Sequence, residues 1–230
     1  MAPKHRNLVK NLSLTFRHLL EGTHNPRGTP AAGDLETRLS QMGVWRDRII
    51  PIDEIPLSEV DRNTRRLIDA YIKYRSDTGT QLPEIVDEFI RESAFSWFNR
   101  LFALRCMEAR GIIDEVIVQR EAYGGRSLKH RRLVIRSPEL CSGEDEGLYE
   151  LLDQEFSEHS TELSTVFDSE SAFIKLKPSV TTLKKILGML SGHESIKGDL
   201  ATNDTFRDSD VFGWAYQYWN TEEKDRIFEK

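Results

Sequence analysis

The sequence predicts a mainly α-helical fold, a multi-helix domain with a small β-hairpin near residues 115–136. Three observations carry this. Apolar residues recur at helical spacing in segment after segment, as in Leu8, Leu12, Phe16, Leu19 and Leu20. Hydrophobic residues make up 38% of the chain and charged residues 30%, a balance that suits a helix-rich protein with a real but modest core. The pattern changes between Glu115 and Arg136. There, Val116-Ile117-Val118 and Leu133-Val134-Ile135 flank Tyr123-Gly124-Gly125-Arg126, which reads as two strands and a longer loop.

Taken in order, Asn7 to Glu21 forms the first expected helix, stopped by Gly22. Gly22 to Gly33 is rich in Gly, Pro, Thr and Asn and is a loop. A short helix follows Asp34 and ends near Gly43. Ile49-Ile50-Pro51-Ile52 and Ile55-Pro56-Leu57 are extended, because each proline drives the residue before it out of the α region. Ser58 is placed to cap a helix running to about Arg75, with Asp61 at its third position. Asp77-Thr78-Gly79-Thr80 is a turn, and Pro83 suits the first turn of a new helix. Helix is expected from about Glu84 to Arg110, ending at Gly111. Further helices are expected over 147–166, 180–190 and 209–228, with a polar loop from Ser191 to Asp208. No internal repeat is visible. Residues 1–60 read as an N-terminal helix and irregular arm, and residues 61–230 as the helical domain.

Net charge is −6, which argues against a generic nucleic-acid binder. The charges are unevenly spread. From Gln119 to Arg136 the chain carries Arg120, Arg126, Lys129, Arg131, Arg132 and Arg136 against Glu121 alone. From Pro138 to Glu170 it has no Lys or Arg and many carboxylates. The bland reading is a solvated hairpin followed by a solvated helix face. The functional reading takes the basic hairpin to the DNA backbone through Arg126, Lys129, Arg131 and Arg132, each neutralised phosphate adding a salt-dependent increment. No stretch reaches the ~20 apolar residues that span a bilayer. The basic start Met1-Ala2-Pro3-Lys4-His5-Arg6 has no apolar signal core, so secretion is not expected either, and no membrane partner is expected. Cys106 and Cys141 are far apart in sequence, and a cytoplasmic protein without a disulfide framework is expected.

Two segments are the most informative. On a helix, Phe95, Trp97, Phe98, Leu101, Phe102 and Leu104 cover most of the circumference, so Ala94 to Glu108 is buried on most sides. Ser96, Asn99 and Arg100 share the remaining face, and Asn99 and Arg100 are candidates to face a neighbouring domain or DNA. Arg105 falls among Phe98, Leu101 and Phe102 and needs a partner, for which Glu108 is nearest. In the second segment Val211, Phe212, Trp214, Ala215, Tyr218 and Trp219 form one broad aromatic face. Such a stripe packs a core more often than it stacks on bases. Beyond Asn220 the helix turns charged through Glu222, Glu223, Lys224, Asp225 and Arg226, as a rigid connector would.

These segments, Trp97-Phe98-Asn99-Arg100-Leu101 and Gly213-Trp214-x-Tyr216-Gln217, resemble the N-terminal region of the BREX-type (PglX-like) adenine-specific DNA methyltransferases of prokaryotic phage defence and their DISARM-type relatives. Glu146-Gly147-Leu148-Tyr149, and Thr165-Val166-Phe167-Asp168-Ser169-Glu170 leading to Leu176-Lys177-Pro178, fit the same likeness, which spans roughly Ser93 to Lys230. The resemblance implies a parent enzyme that moves a methyl group from S-adenosylmethionine to N6 of adenine. It also implies DNA, the enzyme's own methyltransferase domain and other phage-defence proteins as partners. That chemistry needs a glycine-rich cofactor loop and an Asn-Pro-Pro-Tyr type motif to hold the flipped base. The chain has no Gly-x-Gly, and its one Asn-Pro, Asn25-Pro26, runs on into Arg27-Gly28. No catalytic or cofactor-binding residue carries over, so the expectation is a non-catalytic domain of such an enzyme.

Other chemistries are thinly supported. There is no Cys-x-x-Cys, no His-Glu-x-x-His and no phosphate-binding loop, so no metal site is expected. Asp210 with Glu222-x-Lys224 matches a nuclease pattern only superficially, because it lies along a helix. The rival class is a stand-alone interaction protein whose acidic run, Glu144 to Glu170, occupies a basic surface or imitates DNA charge.

Overall fold

A computed structural model describes residues 1–23, 31–168 and 171–221 of the chain. Asn25-Pro26, Ser169-Glu170 and the charged connector from Glu222 lie outside the described residues. Among those described, the elements are α1 (Pro3–Glu21), β1 (Gly22–Thr23), β2 (Ala31–Ala32), α2 (Asp34–Gln41), α3 (Glu59–Asp77), α4 (Leu82–Ala109), α5 (Leu128–Arg136), α6 (Leu148–His159), α7 (Ser164–Phe167), α8 (Ala172–Lys175), α9 (Val180–Ser191), α10 (Asn203–Arg207) and α11 (Val211–Trp219). Short 3-10 turns occupy Ile52–Glu54, Glu121–Tyr123 and Pro138–Cys141. The fold is mainly α with one small antiparallel hairpin, as expected.

That hairpin is not where the sequence placed it. β1 and β2 pair Gly22 with Ala32 and Thr23 with Ala31. The two strands approach closely there: Gly22 has φ +89°, and a Cβ on it would meet the Ala31 carbonyl oxygen at 2.2 Å. Within 115–136 a single antiparallel bridge joins Arg120 to Arg126, and the expected second strand is α5. Two local effects decide this. Ser127 caps α5 by accepting the His130 N–H at 3.2 Å. The N–H groups of Val116, Ile117 and Val118 are taken by the Glu108 carboxylate, which leaves no ladder for a partner strand. The run Leu133-Val134-Ile135 imitates a strand, yet only Leu133 is buried and Ile135 is 70% exposed.

By packing, the chain divides into two compact units. One unit combines residues 18–97 and 169–182; the other combines 1–17, 98–168 and 183–230. Continuity along the chain therefore does not mark the units; helix packing does. α4 contributes its first half to one unit and its second half to the other.

In the first unit, α3 is capped as the sequence indicated, Ser58 accepting the Asp61 N–H. Its inner face packs Ile68 and Ile72, while Tyr71, Phe89 and Phe173 form a ring cluster with centroids 5.2 to 5.4 Å apart. The Trp97 indole donates to the Leu176 carbonyl at 3.0 Å. Asp34 accepts from the Ser179 N–H at 2.7 Å and the Thr182 hydroxyl at 2.8 Å, which ties the start of α2 to the 179–182 segment.

In the second unit, Phe98 is central. It stacks on Trp219 at 4.5 Å and meets Phe16 edge-on at 5.2 Å. Phe102 touches Phe206 and Phe212 at 5.4 and 5.3 Å. The region 191–208, expected to be a polar loop, includes α10 and buries Ile196, Thr205 and Phe206. The single helix expected over 147–166 is broken between His159 and Ser164 into α6 and α7.

Candidate functional site

The residues singled out from sequence fall in the second unit, on α4, α5, α6 and the loops joining them. Arg100 is 2% exposed, so the expectation that it faces DNA or a neighbouring domain is corrected. Its guanidinium donates to the Val166 carbonyl at 2.9 Å and to the Asp168 carbonyl, and lies over the Phe156 ring. Burial lowers its pKa to about 10, against the pull of Asp168 and Asp153. Asn99 is half-buried.

Arg105 was expected to pair with Glu108. The two stand 3.9 Å apart, but Arg105 has closer partners: the Leu190 carbonyl at 2.9 Å and the Asn203 side chain at 2.7 Å. Glu108 instead accepts the backbone N–H groups of Val116 to Val118 and so fixes the loop after α4. Burial pushes its pKa up to about 7, opposed by those N–H donors and by Arg105. Cys106 is buried, and burial raises its thiol to about 12.

Sequence reasoning missed how general this arginine arrangement is. Helix ends leave carbonyls without internal partners. Here arginines supply the donors: Arg17 to Trp219 at 2.7 Å, Arg207 to Ala109 at 2.6 Å and Arg110 to Asp208 at 3.0 Å. In the other unit Arg65 reaches the Ile50 carbonyl at 2.9 Å and the Met42 carbonyl. A usable signal existed for Arg65, which sits on the same helical face as Ile68 and Ile72. Arg17, Arg65, Arg100 and Arg105 are each 2% exposed or less.

The basic segment and the acidic one that follows it meet each other. Arg126 and Lys184 both reach the Glu146 carboxylate, at 2.7 and 2.9 Å, and hold it ionised below its usual range. Lys129 contacts both Glu155 oxygens at 2.7 and 2.8 Å. Arg132 pairs with Asp114, and Arg131 lies over the Tyr123 ring at 5.3 Å. The bland reading of two separately solvated segments is thus corrected: α5 and α6 are zipped by charge. Beside that seam is a groove of about 240 Å³ lined by Lys129, Arg132 and Arg136 on α5 and by Gln154, Glu155 and Glu158 on α6. Arg132 and Arg136 are its exposed cations, and Arg131 is exposed outside it. Glu155, Glu158 and His159 bring three potential ligand atoms within 4.8 Å of one another, but Lys129 already supplies a cation there.

Glu146 and Gly147 both have positive φ, +54° and +78°. A Cβ at Gly147 would stand 2.6 Å from the Cys141 sulfur. The turn also presents the Glu146 carbonyl to the His130 imidazole, whose Nε2 lies 2.7 Å away and donates. Burial lowers the His130 pKa and keeps the ring neutral. On α11, Val211, Ala215 and Trp219 are buried, while Phe212 and Tyr216 are 37% and 57% exposed. Arg6 caps the Trp214 ring at 3.9 Å. No described helix is long and apolar enough to cross a membrane.

No family model matches the chain, and no solved structure matches it. Two curated proteins do. The adenine-specific methyltransferase PglX of Lacticaseibacillus casei (strain Zhang) is 25% identical over 171 residues, covering 64% of this chain and 14% of that protein. The adenine-specific methyltransferase BrxX of Escherichia coli O9:H4 (strain HS) is 24% identical over 196 residues, covering 77% of this chain and 15% of that protein. The chain spans about a seventh of the length of these relatives. It is similar, through most of its own length, to one segment of the PglX- and BrxX-type adenine-specific methyltransferases.

Proposed function

We propose that this chain is a non-catalytic N-terminal domain of an S-adenosylmethionine-dependent DNA N6-adenine methyltransferase of a BREX- or DISARM-type phage-defence system. Its role is to scaffold the catalytic domain and to dock DNA or partner defence proteins. The observation that carries this is the match to two adenine-specific methyltransferases, joined to the lack of any Gly-x-Gly or Asn-Pro-Pro-Tyr sequence in the chain. The native reading frame tests it. A product that continues into both motifs and methylates adenine supports it. A natural product that ends at Lys230 overturns it.

The DNA contact proposed for this region rests on Arg131 and Arg132 rather than on the four cations expected from sequence, because Arg126 and Lys129 are half-buried in their pairs with Glu146 and Glu155, whereas Arg132, though paired with Asp114, stays exposed. Double charge reversal at Arg131 and Arg132 should weaken DNA binding by the whole enzyme and flatten its salt dependence by about two charges' worth. Unchanged affinity at low salt removes the DNA role and leaves the scaffolding role standing.

A second reading, an acidic interaction protein, is favoured by one specific observation. Four arginines lie inside against the buried carboxylates of Glu21, Glu108 and Glu155, so the exposed charge is slightly more negative than the composition implies. Binding of the isolated chain to a basic protein surface in competition with duplex DNA would favour that reading.

A further inference from the structure

Helix α3 has two faces, and only one is covered. Thr64, Arg65, Ile68 and Ile72 point inward and are buried. On the other side Val60, Leu67 and Tyr74 recur every seven residues and are 68%, 42% and 65% exposed. Asn63 and Ala70, both exposed, fall between them, completing the three-and-four spacing of a coiled-coil seam. Scattered apolar residues on a surface need no explanation, but a register held over this whole helix does.

The charges beside the seam suggest what covers it. Glu59 stands next to Val60 at the start of the helix, and Lys73 stands next to Tyr74 near its end. Both are exposed, and neither makes an ion pair among the described residues. The pattern has a centre. Val60 and Tyr74 lie about 10 Å either side of Leu67 at 1.5 Å per residue. Glu59 and Lys73 lie equally far either side of Arg66. A second copy of the same helix, turned antiparallel about an axis near Leu67, therefore brings Val60 against Tyr74 twice and Glu59 against Lys73 twice. This is the self-complementarity that a two-fold interface requires. The central Arg66 is held to its own helix by Asn63 at 2.9 Å, which draws its charge away from its symmetry mate.

We propose that α3 is a self-association surface, joining two copies of this chain through an antiparallel helix pair centred on Leu67. The seam is short, so the dimer is weak and dependent on concentration. Sedimentation equilibrium of the chain from about 5 to about 500 µM spans the affinities that so small an interface gives. A monomer–dimer equilibrium is expected. Leu67→Glu abolishes it, and circular dichroism should show that this exposed substitution leaves the helix content unchanged. Glu59→Lys and Lys73→Glu each turn two attractions into repulsions and weaken association about tenfold. The paired swap E59K/K73E restores it, because the opposite charges face each other again. A protein that stays monomeric throughout overturns the proposal. So does a dimer that survives Leu67→Glu, one that neither single swap affects, or one that the paired swap weakens further.

Discussion

At the scale of single residues, the decisive pattern is arginine directed inward. A buried guanidinium is costly unless its donors are used, and here most of them are used on carbonyls that helices leave open, while Arg100 and Arg105 each keep a buried Nη1 without a hydrogen-bond partner. Arg105→Ala leaves the Leu190 carbonyl and the Asn203 side chain without their donor. It should cost about 2–4 kcal/mol in urea unfolding, the range for breaking a buried charged hydrogen-bond set. Arg100→Lys keeps the charge but cannot bridge Val166 and Asp168 with a fork, and should cost about 1–3 kcal/mol. Glu108 makes a prediction of a different kind. Its pKa is raised to about 7 in the fold, so the folded state holds a proton that the unfolded chain releases from about pH 4.5 upward. Glu108 therefore makes stability fall as pH rises between those two values, after which its contribution is flat. Glu108→Gln should remove that slope, so the difference between wild-type and variant unfolding free energies should change across that window and nowhere else. From sequence, the apolar surroundings of Arg105 could be read, but its true partners could not, because Leu190 and Asn203 are more than eighty residues away.

At the scale of elements, the sequence was legible wherever a local signal set the outcome. The Ser58 cap, the stop at Gly22 and the long helix ending before Gly111 are settled within a few residues of chain. It misled where a distant group overrode the local pattern. Three apolar residues at 116–118 look like a strand, and become a strap once one carboxylate collects their N–H groups. The turn at Glu146-Gly147 is the complementary case, a strained backbone held by His130 of α5, by Lys184 of α9 and by Arg126. Gly147→Ala must force a Cβ against the Cys141 sulfur at a positive φ, and should cost about 2–3 kcal/mol in thermal or chemical unfolding. Much of the candidate site was unreadable for the same reason. Its basic residues were visible, but their pairing with carboxylates of the next segment depends on α5 and α6 lying side by side.

At the scale of the whole molecule, neither unit is contiguous. One is completed by residues 169–182, and the other by residues 183–230 after starting at residue 1. Deleting residues 203–230 removes Phe206 and Trp219, the ring partners of Phe102 and Phe98, and the carbonyl that Arg17 holds. It should abolish cooperative unfolding of the unit to which they belong, seen as early loss of protection in hydrogen exchange at α1 and the second half of α4. The same interleaving bears on synthesis. A ribosome delivers the chain from one end, yet α1 waits for α11 before Phe16 finds Trp219. The nascent protein must carry α1 with its apolar face uncovered until α11 has been made, which makes the rate of elongation, and any chaperone that shields α1 meanwhile, part of how this molecule reaches its fold.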